Sequence, residues 1–207
     1  MADINKNGSS DNHFFGFAKP YFDFISKGKI YSIFYVVMAF LNLLLPLVVI
    51  YLVIDSGFLQ NTGGRTVVAF MLSWLVIAFS SWICFQLWWN RKNNLRRFES
   101  ADFIATPVIS EIIQTSGECL GTFIIINGVG IGLIATILLW DIAKIPLSYL
   151  PFGYYMDGYL YCGPAAIVFG LVIGFFVILL HRFLAEMIRI WAAIANNTKD
   201  IARSLRK

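Results

Sequence analysis

The residues whose types could support chemistry are few and scattered. The two histidines, His13 and His181, lie far apart in the chain. His181 stands beside Arg182 with no carboxylate in the apolar stretch that precedes it, so an interfacial histidine is preferred to a proton relay. The three cysteines, Cys84, Cys119 and Cys162, follow no metal-ligand spacing. Small, polarizable packing residues are the preferred reading, with a bridge between two copies of Cys162 as the alternative. Glu111, Gln114 and Glu118 share one side of any helix that contains them. Nothing in the chain forms an HExxH motif, a paired-carboxylate motif or a Ser–His–Asp arrangement. The expectation is a protein that is not an enzyme and carries no catalytic, metal or cofactor site.

The remaining polar groups of interest lie within apolar surroundings. Asn42, Gln86 and Asn127 are the main ones, joined by Ser73, Ser80, Ser81, Thr122 and Thr136. They are candidates to line a narrow pore, although such groups more often bond one membrane helix to another.

The elements that must position these residues are set by charge. Tyr31–Ile54, Thr66–Trp89, Cys119–Trp140 and Tyr159–Leu180 contain no Asp, Glu, Lys or Arg. Each approaches the ~20 residues an α-helix needs to cross a bilayer. A hydrophobic content of 58%, a mean hydropathy of +0.72 and only 14% charged residues exclude an ordinary soluble domain. Of the 16 basic residues, all but Arg65 and Lys144 lie before the first stretch, in the central gap or in the tail. The positive-inside rule then places both termini and the central loop in the cytoplasm. The net charge of +4 is accordingly a feature of membrane orientation, and no nucleic-acid partner is expected.

The expected fold class is an all-α, polytopic membrane protein of four transmembrane helices. Residues 1–13 read as a disordered polar tail, and no cleavable signal peptide is expected. Residues 14–30 interleave Phe and Tyr with Lys19, Lys27 and Lys29, the composition of a segment lying at the headgroup level. Pro46 is expected to kink the first span. In the central loop, Thr106–Pro107 is a helix-start signal for an amphipathic cytoplasmic helix over about 107–118. Val108, Ile109, Ile112 and Ile113 fall on its apolar face, and Glu111, Gln114 and Glu118 on the other. The acidic face reads either as a docking surface, with Arg91, Lys92, Arg96 and Arg97 as its nearest partners, or as a solvated face. The loop Asp141–Gly158, rich in Tyr and Pro, reads as an external aromatic belt.

Small residues repeat at four-residue spacing in the last two spans. Gly128 and Gly132 do so in the third, and Ala166, Gly170 and Gly174 in the fourth. This spacing lets membrane helices approach closely, and tight packing of these two spans is preferred to a contact between subunits. With no strand before it, the run Gly128, Gly130, Gly132 is not a dinucleotide fingerprint.

Beyond Leu180 no Gly or Pro interrupts the chain, which predicts a cytoplasmic extension of the fourth helix over 181–207. Phe183, Met187, Ile190, Ile194, Asn197 and Ile201 recur at spacings of four and three, a heptad-like stripe. Such a stripe needs a cover, from the 107–118 helix, a second copy or another protein. Glu186 is placed to pair with Arg182 or Arg189, and Asp200 with Arg203.

The runs YFDFISKGKIYSIFY, SWICFQLWWNRKN and DFIATPVISEIIQTSGECLGT resemble small four-span bacterial inner-membrane proteins, and RFLAEMIRIWAAIANNT resembles their cytoplasmic helical ends. The resemblance implies a multi-pass protein of the bacterial inner (cytoplasmic) membrane. It brings no activity and no functional residue to carry over. The expected function is assembly, as a homo-oligomer or a subunit of an envelope complex. The alternative is a small channel or transporter with a polar path through the spans. Expected partners are membrane lipid and either a second copy or another membrane protein, met mainly on the cytoplasmic side.

Overall fold

A computed structural model describes residues 29–92, 105–146 and 158–205. The polar tail 1–13, most of the aromatic segment 14–30, Arg96, Arg97 and most of the tyrosine-rich loop lie outside the described residues.

The apolar stretches form four long helices, and the described residues are all-α apart from one short ladder. α1 spans Lys29–Asp55, and a single turn, α2, Phe58–Asn61, follows it. α3 spans Gly64–Arg91 and α4 spans Ala105–Leu138. β1 (Lys144–Pro146) pairs antiparallel with β2 (Tyr159–Tyr161), and α5 runs from Cys162 to Ser204. All four long helices are long and apolar enough to cross a membrane, as in a multi-pass membrane protein. Many of their large side chains are exposed and apolar, Leu47, Leu75, Val172 and Phe176 among them. Lipid is the solvent that such a surface suits.

Two boundaries differ from the sequence reading. The amphipathic segment 107–118 and the third span are one helix of 34 residues, since nothing between Pro107 and Cys119 breaks the pattern. The fourth span begins three residues later than Tyr159, because Tyr159–Tyr161 extend to pair with Lys144–Pro146. Trp140 stacks on Tyr161 with ring centroids 4.1 Å apart, and the Lys144 ammonium lies 4.8 Å from the centre of the Tyr159 ring. At the same end the turn after α1 needs Gly57, which sits at φ 66, a left-handed conformation open to glycine at little cost.

At about 1.5 Å per residue, α4 is ~51 Å long and α5 ~65 Å, against a hydrocarbon core of ~30 Å. Both therefore project beyond any bilayer they cross. α1 runs through Pro46 as one helix. The carbonyl of Pro46 accepts the Trp74 indole N–H at 2.9 Å, tying α1 to α3 in mid-span.

The tightest core lies where α1, α3 and α4 meet, near the end that carries Arg91. Tyr35 and Ala39 of α1, Cys84 and Trp88 of α3, and Val108 and Cys119 of α4 are buried there. Tyr35 and Trp88 meet edge to face with centroids 5.0 Å apart, a geometry aromatic pairs favour.

Candidate functional site

Two features of α4 organise the molecule. One is a seam of small residues against α5. A methyl group added at Gly128 would lie 2.6 Å from the Cα of Gly170 and 2.9 Å from the Ala166 carbonyl oxygen. One at Gly132 would lie 2.8 Å from the Gly163 carbonyl oxygen, and one at Gly174 2.7 Å from that of Gly121. The backbones are thus in direct contact, which only missing side chains permit. The structure brings together all five seam residues read from the sequence. It adds Gly117, which lies against His181, together with Gly121 and Gly163. Gly121 and Gly163 stand seven residues before Gly128 and Gly170, and Gly117 four before Gly121, so the signal was present in the sequence. Gly130 points elsewhere and admits Val76 of α3.

The second feature is an ionic cluster at the end that carries Arg91. Ser110, Glu111, Gln114, Thr115 and Glu118 occupy successive turns of α4 between α3 and α5. Glu118 pairs with Arg91 of α3, and its other oxygen accepts from the Arg182 Nε and Nη2 of α5 at 3.2 and 3.0 Å. Gln114 donates to that same oxygen at 3.1 Å. Glu111 lies 3.8 Å from Arg91 and accepts from Arg189 at 3.3 Å. Arg189 also donates to Ser110 at 2.6 Å and to the Gln114 carbonyl oxygen at 2.8 Å. Arg91 donates to the buried Thr115 hydroxyl at 3.2 Å, which also lies 3.4 Å from the Tyr35 hydroxyl of α1. The Glu111 and Glu118 side chains are only 14% and 12% exposed, so these are largely desolvated pairs. Such pairs hold geometry firmly, because removing one partner strands the other's charge.

Chemically, this arrangement fixes three helices to one another. Glu111, Gln114 and Glu118 are engaged within the chain and do not form an open docking face. Arg91 was foreseen as a partner, but Arg182 and Arg189 turn to α4 and not to Glu186. Lys92 lies over the Trp89 ring, 3.6 Å from its centre. Asp200 and Arg203 approach to 3.9 Å on the exposed helix surface.

The polar residues of the spans separate into two groups. The Asn42 amide donates to the Met38 carbonyl at 2.7 Å, and its oxygen receives the Cys119 thiol at 3.6 Å. Asn127 donates to the Ser80 hydroxyl and the Phe123 carbonyl, each at 2.8 Å. Its carbonyl oxygen is buried without a partner among the described residues. Gln86 does not join them: it is exposed on the outer side of α3, beside Trp82 and Asn90. Cys84 donates to the Cys119 carbonyl at 3.3 Å, so these two thiols act as packing and hydrogen-bonding groups between α3 and α4.

The heptad-like stripe is not covered by α4. The side of α5 that meets α4 carries Gly170, Gly174, His181 and Ala185, followed by Arg189. Phe183, Ile190, Ile194 and Ile201 are 53–62% exposed, and Trp191 beside them is 68% exposed. Asn197 is exposed within the stripe and Met187 is half-buried. Comparison with models of known families, with curated proteins and with solved structures finds no match for this chain.

Proposed function

We propose that this protein is a non-enzymatic multi-pass membrane protein that works by assembly, as a homo-oligomer or a subunit of an envelope complex. The observation that carries the reading is the division of α5 into two faces. One is used up by α4 and locked through Arg182 and Arg189. The other presents Phe183, Ile190, Trp191, Ile194 and Ile201 on a helix that extends past any bilayer. An apolar stripe outside the bilayer is stable when another protein covers it. A second copy suits it, because two copies inserted the same way present parallel stripes with Asn197 in matching positions to fix register.

The distribution of basic residues supports an orientation with both termini cytoplasmic, so the stripe would face the cytoplasm; the bacterial inner membrane is what the resemblance to small four-span proteins implies. The assembly reading is preferred to a channel or transporter because Asn42 and Asn127 are bonded inside the bundle while Gln86 faces outward.

The test is particle mass in mild detergent and in lipid nanodiscs. The native chain is expected to form a multimer or to retain a stoichiometric partner. Ile190→Glu with Ile194→Glu should release monomers without unfolding them, since both positions are exposed. A native chain that is strictly monomeric and partner-free overturns the proposal.

A further inference from the structure

A groove between α3 and α4 runs along the membrane-facing surface, with a volume of about 530 Å³ and walls that include Leu75, Val76, Phe79, Ile126 and Gly130. A second groove of about 400 Å³ continues along α3 and holds Phe79, Trp82, Gln86 and Asn90. Phe79 lines both, so the two adjoin there and follow one another along α3 as a trough. Its lower part is wholly apolar, and its upper part carries two primary amides one helical turn apart.

The trough's dimensions and polarity match one leaflet. Leu75 and Gln86 are separated by ~16 Å along the helix axis, close to half of a ~30 Å hydrocarbon core. Gln86 therefore lies about where acyl chains meet ester groups, and Asn90 one turn nearer the headgroups. A carboxamide facing hydrocarbon without a partner is costly. Ester carbonyls at that depth are acceptors for the amide N–H groups. We propose that this trough binds one diacyl phospholipid of the leaflet at the Arg91 end, with an acyl chain along Leu75–Phe79 and ester oxygens on Gln86 and Asn90.

The molecule supplies its own control. Another groove, of about 620 Å³, lies on the α5 side among Leu171, Phe175 and Leu179 and touches the first groove only at Ile125. Among the described residues no amide lines it, so it should hold only exchanging bulk lipid.

The experiment uses the full chain in phosphatidylethanolamine–phosphatidylglycerol nanodiscs containing a small fraction of phosphatidylethanolamine with a diazirine on one acyl chain. After illumination, adducts are mapped by peptide mass. Labelling at Leu75–Phe79 and Ile126–Gly130 should exceed that at Leu171–Leu179 by roughly tenfold, the worth of two amide bonds in lipid. Gln86→Leu with Asn90→Leu should bring the two regions level. Leu75→Trp, a change at an exposed position that fills the trough, should do the same with the amides intact. Equal labelling of both grooves in the native chain overturns the proposal. So does a trough that stays unlabelled while the Trp82 surface cross-links to a second copy.

Discussion

Replacing Gly128 or Gly170 by alanine tests whether the α4–α5 seam depends on backbone contact. The added methyl would lie 2.6 Å from the Gly170 Cα in the first variant and 2.7 Å from the Gly128 Cα in the second. Carbon atoms prefer ~3.5–4.0 Å, so the helices must part by about 1 Å, and a gap of that order forfeits a quarter to a half of each affected dispersion contact. Backbone lies on both sides, so no flexible side chain can yield instead. Overpacking of this kind costs about 1–3 kcal/mol. At 2 kcal/mol the unfolding equilibrium moves by roughly 30-fold. Because one parting of the helices relieves both contacts, Gly128→Ala with Gly170→Ala should cost less than the two singles added, by about 1 kcal/mol. Gly64→Ala is the matched control: nothing lies within 4 Å of its added methyl, and it falls in the first turn of α3. That change should be neutral or slightly stabilising. The assay is unfolding in mixed micelles titrated with dodecyl sulfate, followed by tryptophan fluorescence. Single variants indistinguishable from Gly64→Ala would refute the contact geometry. Strict additivity of the pair would refute the shared gap.

Three further outcomes follow from the polar groups. Glu118→Gln removes the charge that holds Arg91 and Arg182 together and should destabilise by about 1–3 kcal/mol in the same assay. Arg65→Ala, which breaks a 3.6 Å pair with Asp141 whose side chains are 51% and 76% exposed, should change stability by less than ~1 kcal/mol. Asn127→Leu should stay within about 1 kcal/mol of the native chain. It gives up the bond to Ser80 but also removes a buried, unpartnered carbonyl oxygen, and Ser80 keeps its own bond to the Ile77 carbonyl at 2.9 Å.

Much of this architecture was legible because lipid imposes a blunt rule: a spanning helix must be long and free of charge. Gaps in the charge pattern therefore located the four helices. Four-residue glycine spacing likewise identified Gly128 and Gly170 before their contact was visible. Helix boundaries were harder to read. The step from Glu118 to Cys119 marks a change of surroundings, not of backbone, so two elements inferred from polarity are one helix. The β1–β2 ladder rests on three residue pairs joined across a loop, a pairing that no local periodicity records. The partners of Glu111 and Glu118 were only half legible. Arg91 is near in sequence, whereas Arg182 and Arg189 reach these carboxylates because α5 returns antiparallel along the seam.

That antiparallel register also limits what α4 can cover. Gly128 lies against Gly170, Gly117 against His181 and Ser110 against Arg189, so a step towards the start of α4 matches an equal step towards the end of α5. Continued to Ala105, where the described part of α4 begins, the register reaches α5 near Ala193. The last ~11 residues of α5, some ~16 Å of helix, therefore run past the described part of α4. Ile194, Asn197 and Ile201 lie in this portion, while Phe183 and Ile190 lie lower, on the side of α5 that the Arg182 and Arg189 pairs leave free. A charge introduced at Ile194 should accordingly disturb assembly while leaving the pairs of Glu111 and Glu118, and with them the stability of the single chain, unchanged.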